Sequence, residues 1–218
     1  MASPLLDASY NEGDDATMPA ALPDSSLDFL VKLAQTMQAS TVFEFGSGRS
    51  TETFLRHGLQ VTSLEDTAHW MEQTVARLSP EDRQRHTALV RSLTVRLHGG
   101  FPVKDWVVDP EIAAKLKNAD LVLVDSPFYA PFRESTLWSA LNICSGAIIV
   151  LDDVRIPTLA RFCDRLAQTN PGLLHRRIRV GHTFDLFARV DEAPLTLGLG
   201  IGDLAKGWRR FFMARTTF

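Results

Sequence analysis

Short apolar runs recur along the chain, and amphipathic segments separate them. Thr41–Phe45, Leu59–Leu64, Leu93–Leu97, Ala119–Asp125 and Gly146–Asp152 are each dominated by apolar residues and stop at glycine, histidine or acidic positions, which predicts five strands. Arg176–Val180 and Phe184–Val190 follow, with His182-Thr183 as a short turn between them, which predicts an antiparallel closing pair. Leu27, Leu30, Val31 and Leu33 form one face of a helix that Asp24 or Ser25 can cap. Ser50–Arg56, Trp70–Leu78, a segment opened by Pro80, Pro110–Lys117, Glu134–Cys144 and Pro157–Gln168 supply the other helices. The strands are continuous apolar runs rather than alternations, as a parallel sheet covered on both faces requires. The predicted architecture is a doubly wound α/β domain over residues 24–190. An arm rich in Ala, Asp, Pro and Ser (1–23) precedes it and an appendage (191–218) follows.

Composition narrows the class. Hydrophobic residues make up 45% of the 218, charged residues 22%, and the formal net charge is -3, with both signs scattered. That suits one soluble domain and points away from a nucleic-acid partner, which would need a basic stripe. No apolar run approaches the ~18 residues of a membrane span. The first residues, MASPLLDASYNEGDDATMP, lack the basic and apolar regions of a secretory signal. Cys144 and Cys163 lie in apolar stretches without a CxxC partner, as reduced core thiols of a cytoplasmic protein would.

The candidate chemistry gathers at the predicted strand ends, where doubly wound sheets bind ligands. Glu44, Gly46, Ser47, Gly48 and Ser50 follow the first strand, and Glu65 and Asp66 the second. His98, Gly99 and Gly100 follow the third; Asp125, Ser126, Pro127 and Phe128 the fourth; Asp152 and Asp153 the fifth. Gly46 and Gly48 let the backbone approach a ligand closely. Thr51 stands where a dinucleotide loop carries its third glycine, and no P-loop lysine is present. Glu44 would repel phosphate and welcome a cation. Glu65, 21 positions on, has the spacing of a carboxylate that holds a ribose diol. A phosphate-free, cationic nucleoside satisfies all of these conditions, and S-adenosylmethionine is one.

The segments VFEFGSGRST, VTSLE, ADLVLVD and GAIIVLDDV, in that order, resemble the successive motifs of class I S-adenosylmethionine-dependent methyltransferases over residues 25–190. The resemblance implies a mostly parallel seven-stranded sheet of order 3-2-1-4-5-7-6 with the seventh strand antiparallel. It also implies Glu44, Gly46, Ser47, Gly48 and Ser50 on the methionine part of the cofactor. Glu65 and Asp66 would lie at the ribose, Leu97, His98 and Gly99 near the adenine, and Trp70 over one adenine face or in the core. Within the class the chain is similar to catechol-type small-molecule O-methyltransferases, which hold a magnesium ion with an Asp after the fourth strand and an Asp-Asn pair after the fifth. The matching positions are Asp125, Asp152 and Asp153, so Asp153 replaces an asparagine. Phe128 stands where those enzymes carry a lysine base, and His98, Asp125 and Lys104 are the alternative proton acceptors. The resemblance implies a small-molecule acceptor, most simply a hydroxyl.

Asp125-Ser-Pro-Phe128 is also a partial match to the motif of amino-directed methyltransferases, with Ser126 in place of a proline. Arg133 and Arg155 are expected to pair with the nearby acids or to hold an anionic acceptor. Tyr10 and Met18 make the arm a candidate lid. The basic and aromatic tail around Trp208 is expected to pack on the domain or on a second subunit. The histidines show no metal spacing and are expected at the surface or at helix ends.

Overall fold

The computed structural model describes residues 22–92, 94–98, 101–105, 109–126 and 130–197, with side chains over 22–92, 109–126 and 133–197. The proposed lid residues, Gly99, Gly100, Pro127, Phe128 and the tail around Trp208 lie outside the described residues, as do the side chains of Leu97, His98 and Lys104.

Nine strands and seven helices occur among the described residues. The strands are β1 (Thr41–Phe45), β2 (Gln60–Glu65), β3 (His86–Val90), β4 (Thr94–His98), β5 (Phe101–Asp105), β6 (Leu121–Val124), β7 (Ile148–Leu151), β8 (Leu173–Val180) and β9 (His182–Arg189). The helices are α1 (Asp24–Thr36), α2 (Arg49–Arg56), α3 (Ala68–Arg77), α4 (Pro80–Arg85), α5 (Pro110–Lys117), α6 (Ala130–Ile143) and α7 (Pro157–Thr169). Seven strands form one sheet in the order β3-β2-β1-β6-β7-β9-β8. β3, β2, β1, β6 and β7 are mutually parallel, and β9 runs antiparallel to both neighbours. Counted along the large sheet alone, this is the expected order 3-2-1-4-5-7-6.

The continuous apolar runs are explained by burial on both faces. Val122 and Val124 of β6 join a core cluster with Phe43 and Phe45, whereas Leu121 and Leu123 point the other way, with Val42 and Val150. Each such side chain contributes about 1.5–3 kcal/mol by leaving water. Helices cover both faces, and α6 is buried nearly all round, from Arg133 and Ser135 through Leu141. Cys144 and Cys163 are free and buried in the core, as expected. Residues 191–197 dock on the domain. Leu195 and Leu197 pack on the core, and Asn170 exchanges two hydrogen bonds with the Thr196 backbone.

Three expectations are corrected. Leu93–Leu97 does not supply the third strand of the large sheet; His86–Val90 does, and Thr94–His98 instead pairs with Phe101–Asp105 in a separate antiparallel hairpin. β3 is an edge strand with only Leu89 buried, so its sequence carries little apolar signal. Neither Asp24 nor Ser25 caps α1; Pro23 occupies the cap position and its carbonyl accepts the first amides. The turn between the last strands is Gly181 alone, at φ 69°, and His182 and Thr183 already belong to β9.

Candidate functional site

The sheet register lines up the carboxyl ends of four strands. Phe45 lies opposite Leu64 on one side and Val124 on the other, and Val124 lies opposite Leu151. Glu65, Gly46, Asp125 and Asp152 therefore succeed one another along one rim, and the direction of winding reverses between β1 and β6.

The glycine loop is built around a buried carboxyl. Glu44 is 1% exposed, yet neither oxygen lacks a partner. Oε2 accepts from the Ser50 hydroxyl at 2.8 Å; Oε1 accepts from Ser63 at 2.6 Å and from Thr51. Thr51 Oγ1 in turn accepts the Gly48 N–H at 2.9 Å. A third glycine would be unable to make this clip, which is why a buried threonine suits the position. Burial pushes the Glu44 carboxyl up to about 7, against the opposing pull of the three hydroxyls. Ser63 also meets His86 Nε2 at 2.9 Å, and burial holds His86 below its ordinary range.

Gly46 and Gly48 have φ of 109° and 153°, conformations that L side chains rarely adopt. A Cβ on Gly46 would also come 3.2 Å from Ser126 Cβ, so the loops after β1 and β6 are in close contact. Ser47 points the other way along the rim, where its N–H and hydroxyl both donate to Glu65 Oε1, at 2.7 and 3.1 Å. Glu65 is 7% exposed, and burial pushes its carboxyl up to about 7. Asp66 is exposed beside it. Trp70, on α3, is half-buried beside His69. His98 ends β4 in the hairpin rather than the sheet strand that was expected to carry it.

The acidic side of the rim holds more than the three aspartates foreseen. Asp152 and Asp153 lie past the end of β7, and Asp153 takes a left-handed φ of 60°. That turn lets two consecutive residues present their carboxylates to one cluster, which strand geometry alone would forbid. His182 completes it: ligand-capable atoms of Asp152, Asp153 and His182 lie within 4.8 Å of one another. His182 Nδ1 sits 3.0 and 3.1 Å from the two Asp152 oxygens. Arg133, 4% exposed, reaches in from α6 to Asp153 Oδ2 at 3.0 Å, to Asp125 Oδ1 at 3.4 Å and to the Asp152 carbonyl at 3.4 Å. Exposed Arg155 lies 3.4 Å from Asp153. Desolvation first, and the Asp152 carboxylate second, hold Asp125 well above the usual carboxylate range. Burial and neighbouring Asp153 raise Asp152, against the pull of His182.

These residues do not fit a magnesium ion. Such an ion demands six oxygen ligands at ~2.0–2.1 Å in near-octahedral geometry. Here the carboxylates of Asp125 and Asp153 face the Arg133 guanidinium, and Asp152 faces Nδ1 of His182. The expected salt bridges of Arg133 and Arg155 are thus present. The placement of the histidines is corrected for His175 and His182, half-buried in the closing hairpin and partnered, whereas His86 stands at the end of α4, as expected, with its ring on Ser63. Their spacing along the chain held no hint of this, because only the pairing of β9 with β7 and β8 brings the partners together.

Similar solved structures include the O-methyltransferase TomG from Streptomyces achromogenes in complex with SAM, at 19% identity and TM-score 0.59, covering 79% of this chain and 82% of that one. Cofactor-bound Rv0187 from MTB aligns at 20% identity and TM-score 0.58, covering 79% and 83%. An O-methyltransferase from Bacillus cereus in complex with SAH aligns at 16% identity and TM-score 0.57, covering 79% and 84%. No family model matches the sequence, and neither does any curated protein. Strand order, the antiparallel β9 and these likenesses define the class I, Rossmann-like S-adenosylmethionine-dependent methyltransferase fold.

Proposed function

We propose that the chain is an S-adenosylmethionine-dependent methyltransferase acting on a hydroxyl of a small molecule. The observation that carries this reading is the pairing of Ser47 with Glu65. It fixes one Glu65 oxygen beside two positive-φ glycines, while Oε2 makes no hydrogen bond among the described residues. A nearly buried carboxylate oxygen without a protein donor suits a ribose hydroxyl. Gly46, Ser47, Gly48 and Ser50 would flank the methionine part, and Glu44 would hold that loop in shape. Asp66 would extend the ribose contact, and His98 with Gly99 would approach the adenine. The O-methyltransferases among the similar structures favour an oxygen acceptor.

The methyl group would move by direct displacement at the sulfonium carbon. The acceptor's proton would pass to Asp125 or His98, and the protein's main work is to align the acceptor and exclude water. Calorimetry with S-adenosylhomocysteine tests the reading. Wild type binds it, and Glu65→Ala weakens binding at least tenfold, the cost of about 1.4 kcal/mol of lost hydrogen bonding. Absence of wild-type binding would overturn the reading.

A further inference from the structure

We propose that the Arg133 guanidinium occupies the place of a divalent cation at the acidic rim, so that methyl transfer by this chain requires no metal. The statement about catalysis rests on the methyltransferase reading; the statement about the cation stands on the geometry.

Three features carry it. The first is position. Arg133 bridges Asp125 and Asp153, at 3.4 and 3.0 Å, and these are two of the three residues that match the magnesium ligands of the catechol-type enzymes. An ion shared by those carboxylates would have to enter the space the guanidinium fills. The second is attachment. Arg133 belongs to the first turns of α6, it is 4% exposed, and it also donates to the Asp152 carbonyl. A planar fork anchored at three points on two loops is not a side chain that swings aside for an ion. The third is charge. Asp125 and Asp153 face the Arg133 guanidinium and Asp153 also faces Arg155, so the cluster supplies its own counter-charges. A divalent ion would meet the positive charge of a buried guanidinium, which offers donors only and no ligand atom. The replacement of the family's asparagine by Asp153 has its explanation here: the added carboxylate is the closer partner of Arg133.

Manganese titration followed by the EPR signal of the free ion tests this, with calorimetry of S-adenosylhomocysteine on the same preparation. Wild type is expected to leave the free Mn²⁺ signal undiminished, and its affinity for S-adenosylhomocysteine is expected to be equal in EDTA and in Mn²⁺. Arg133→Met uncovers the carboxylates and is expected to deplete the signal. Depletion by wild type overturns the proposal. So does a folded Arg133→Met that leaves the signal intact, because something other than the guanidinium would then keep the ion out. Should that variant fail to fold, the wild-type titration decides alone. Loss of S-adenosylhomocysteine binding in every buffer would count against the methyltransferase reading and not against the assignment of Arg133.

Discussion

Thr51 holds two groups of the glycine loop at once, the Glu44 carboxyl and the Gly48 N–H. Thr51→Val keeps the shape and removes the hydroxyl, leaving both groups buried with one partner fewer. The expected loss is about 1–3 kcal/mol of stability, read from the urea midpoint at unchanged slope. Glu44 and Glu65 titrate near neutrality because burial disfavours their charge. A raised carboxyl contributes stability that is fully present below its ordinary value of 4.5 and is lost as pH rises through about 7. For Glu44 that loss is on the order of 3 kcal/mol. Glu44→Gln should therefore show a flatter stability profile than wild type between those limits, measured by denaturant melts across pH. Ribose hydroxyls donating to Glu65 favour its ionised form, so S-adenosylhomocysteine binding near pH 7 should release protons. Calorimetry in buffers of different ionisation enthalpy would detect the release, and Glu65→Gln should abolish it.

Among the elements, the closing hairpin of β8 and β9 carries its own electrostatic clamp. Asp185 on β9 is fully buried and accepts from Arg177 Nε and Nη2, both at 2.8 Å, while His175 Nε2 lies 2.9 Å from its Oδ2. Arg177 extends the network to Asp164 on α7, and the His175 ring stacks on Phe187. Despite its burial, these partners hold Asp185 below the usual carboxylate range. Its contribution is then present above pH ~4 and is lost as pH falls through the depressed value. Asp185→Asn should cost about 2–3 kcal/mol at neutral pH, less than for a fully buried pair because Arg177 is 35% exposed. The difference from wild type should shrink in acid melts below pH ~4. The helices and inner strands were legible in the sequence because their apolar positions are dictated by burial. β3 was not, since an edge strand with one buried residue has no such constraint, whereas the hairpin strand β4 imitates one by carrying Val95 and Leu97.

At the scale of the whole molecule, the sheet brings together groups that the chain keeps far apart. The glycine loop and Glu65 could be read from the sequence because they sit on adjacent βα units at a fixed spacing. Asp125, Asp152 and Asp153 were legible for the same reason, as residues just past strands. The pairing of Arg133 and Arg155 with these acids was expected too; the part of His182 was not, because it lies 30 residues from Asp152 and only the closure of β9 onto the rim brings the two together. The three acids expected at the rim thus lie in one cluster with Arg133, Arg155 and His182 against them. Among the described residues no helix is long and apolar enough to cross a membrane. The central claim is that this rim binds the methyl donor, and thermal melts test it most directly. S-adenosylhomocysteine should raise the melting temperature of wild type in a concentration-dependent way, while NAD leaves it unchanged. A rise with NAD and none with S-adenosylhomocysteine would contradict the account.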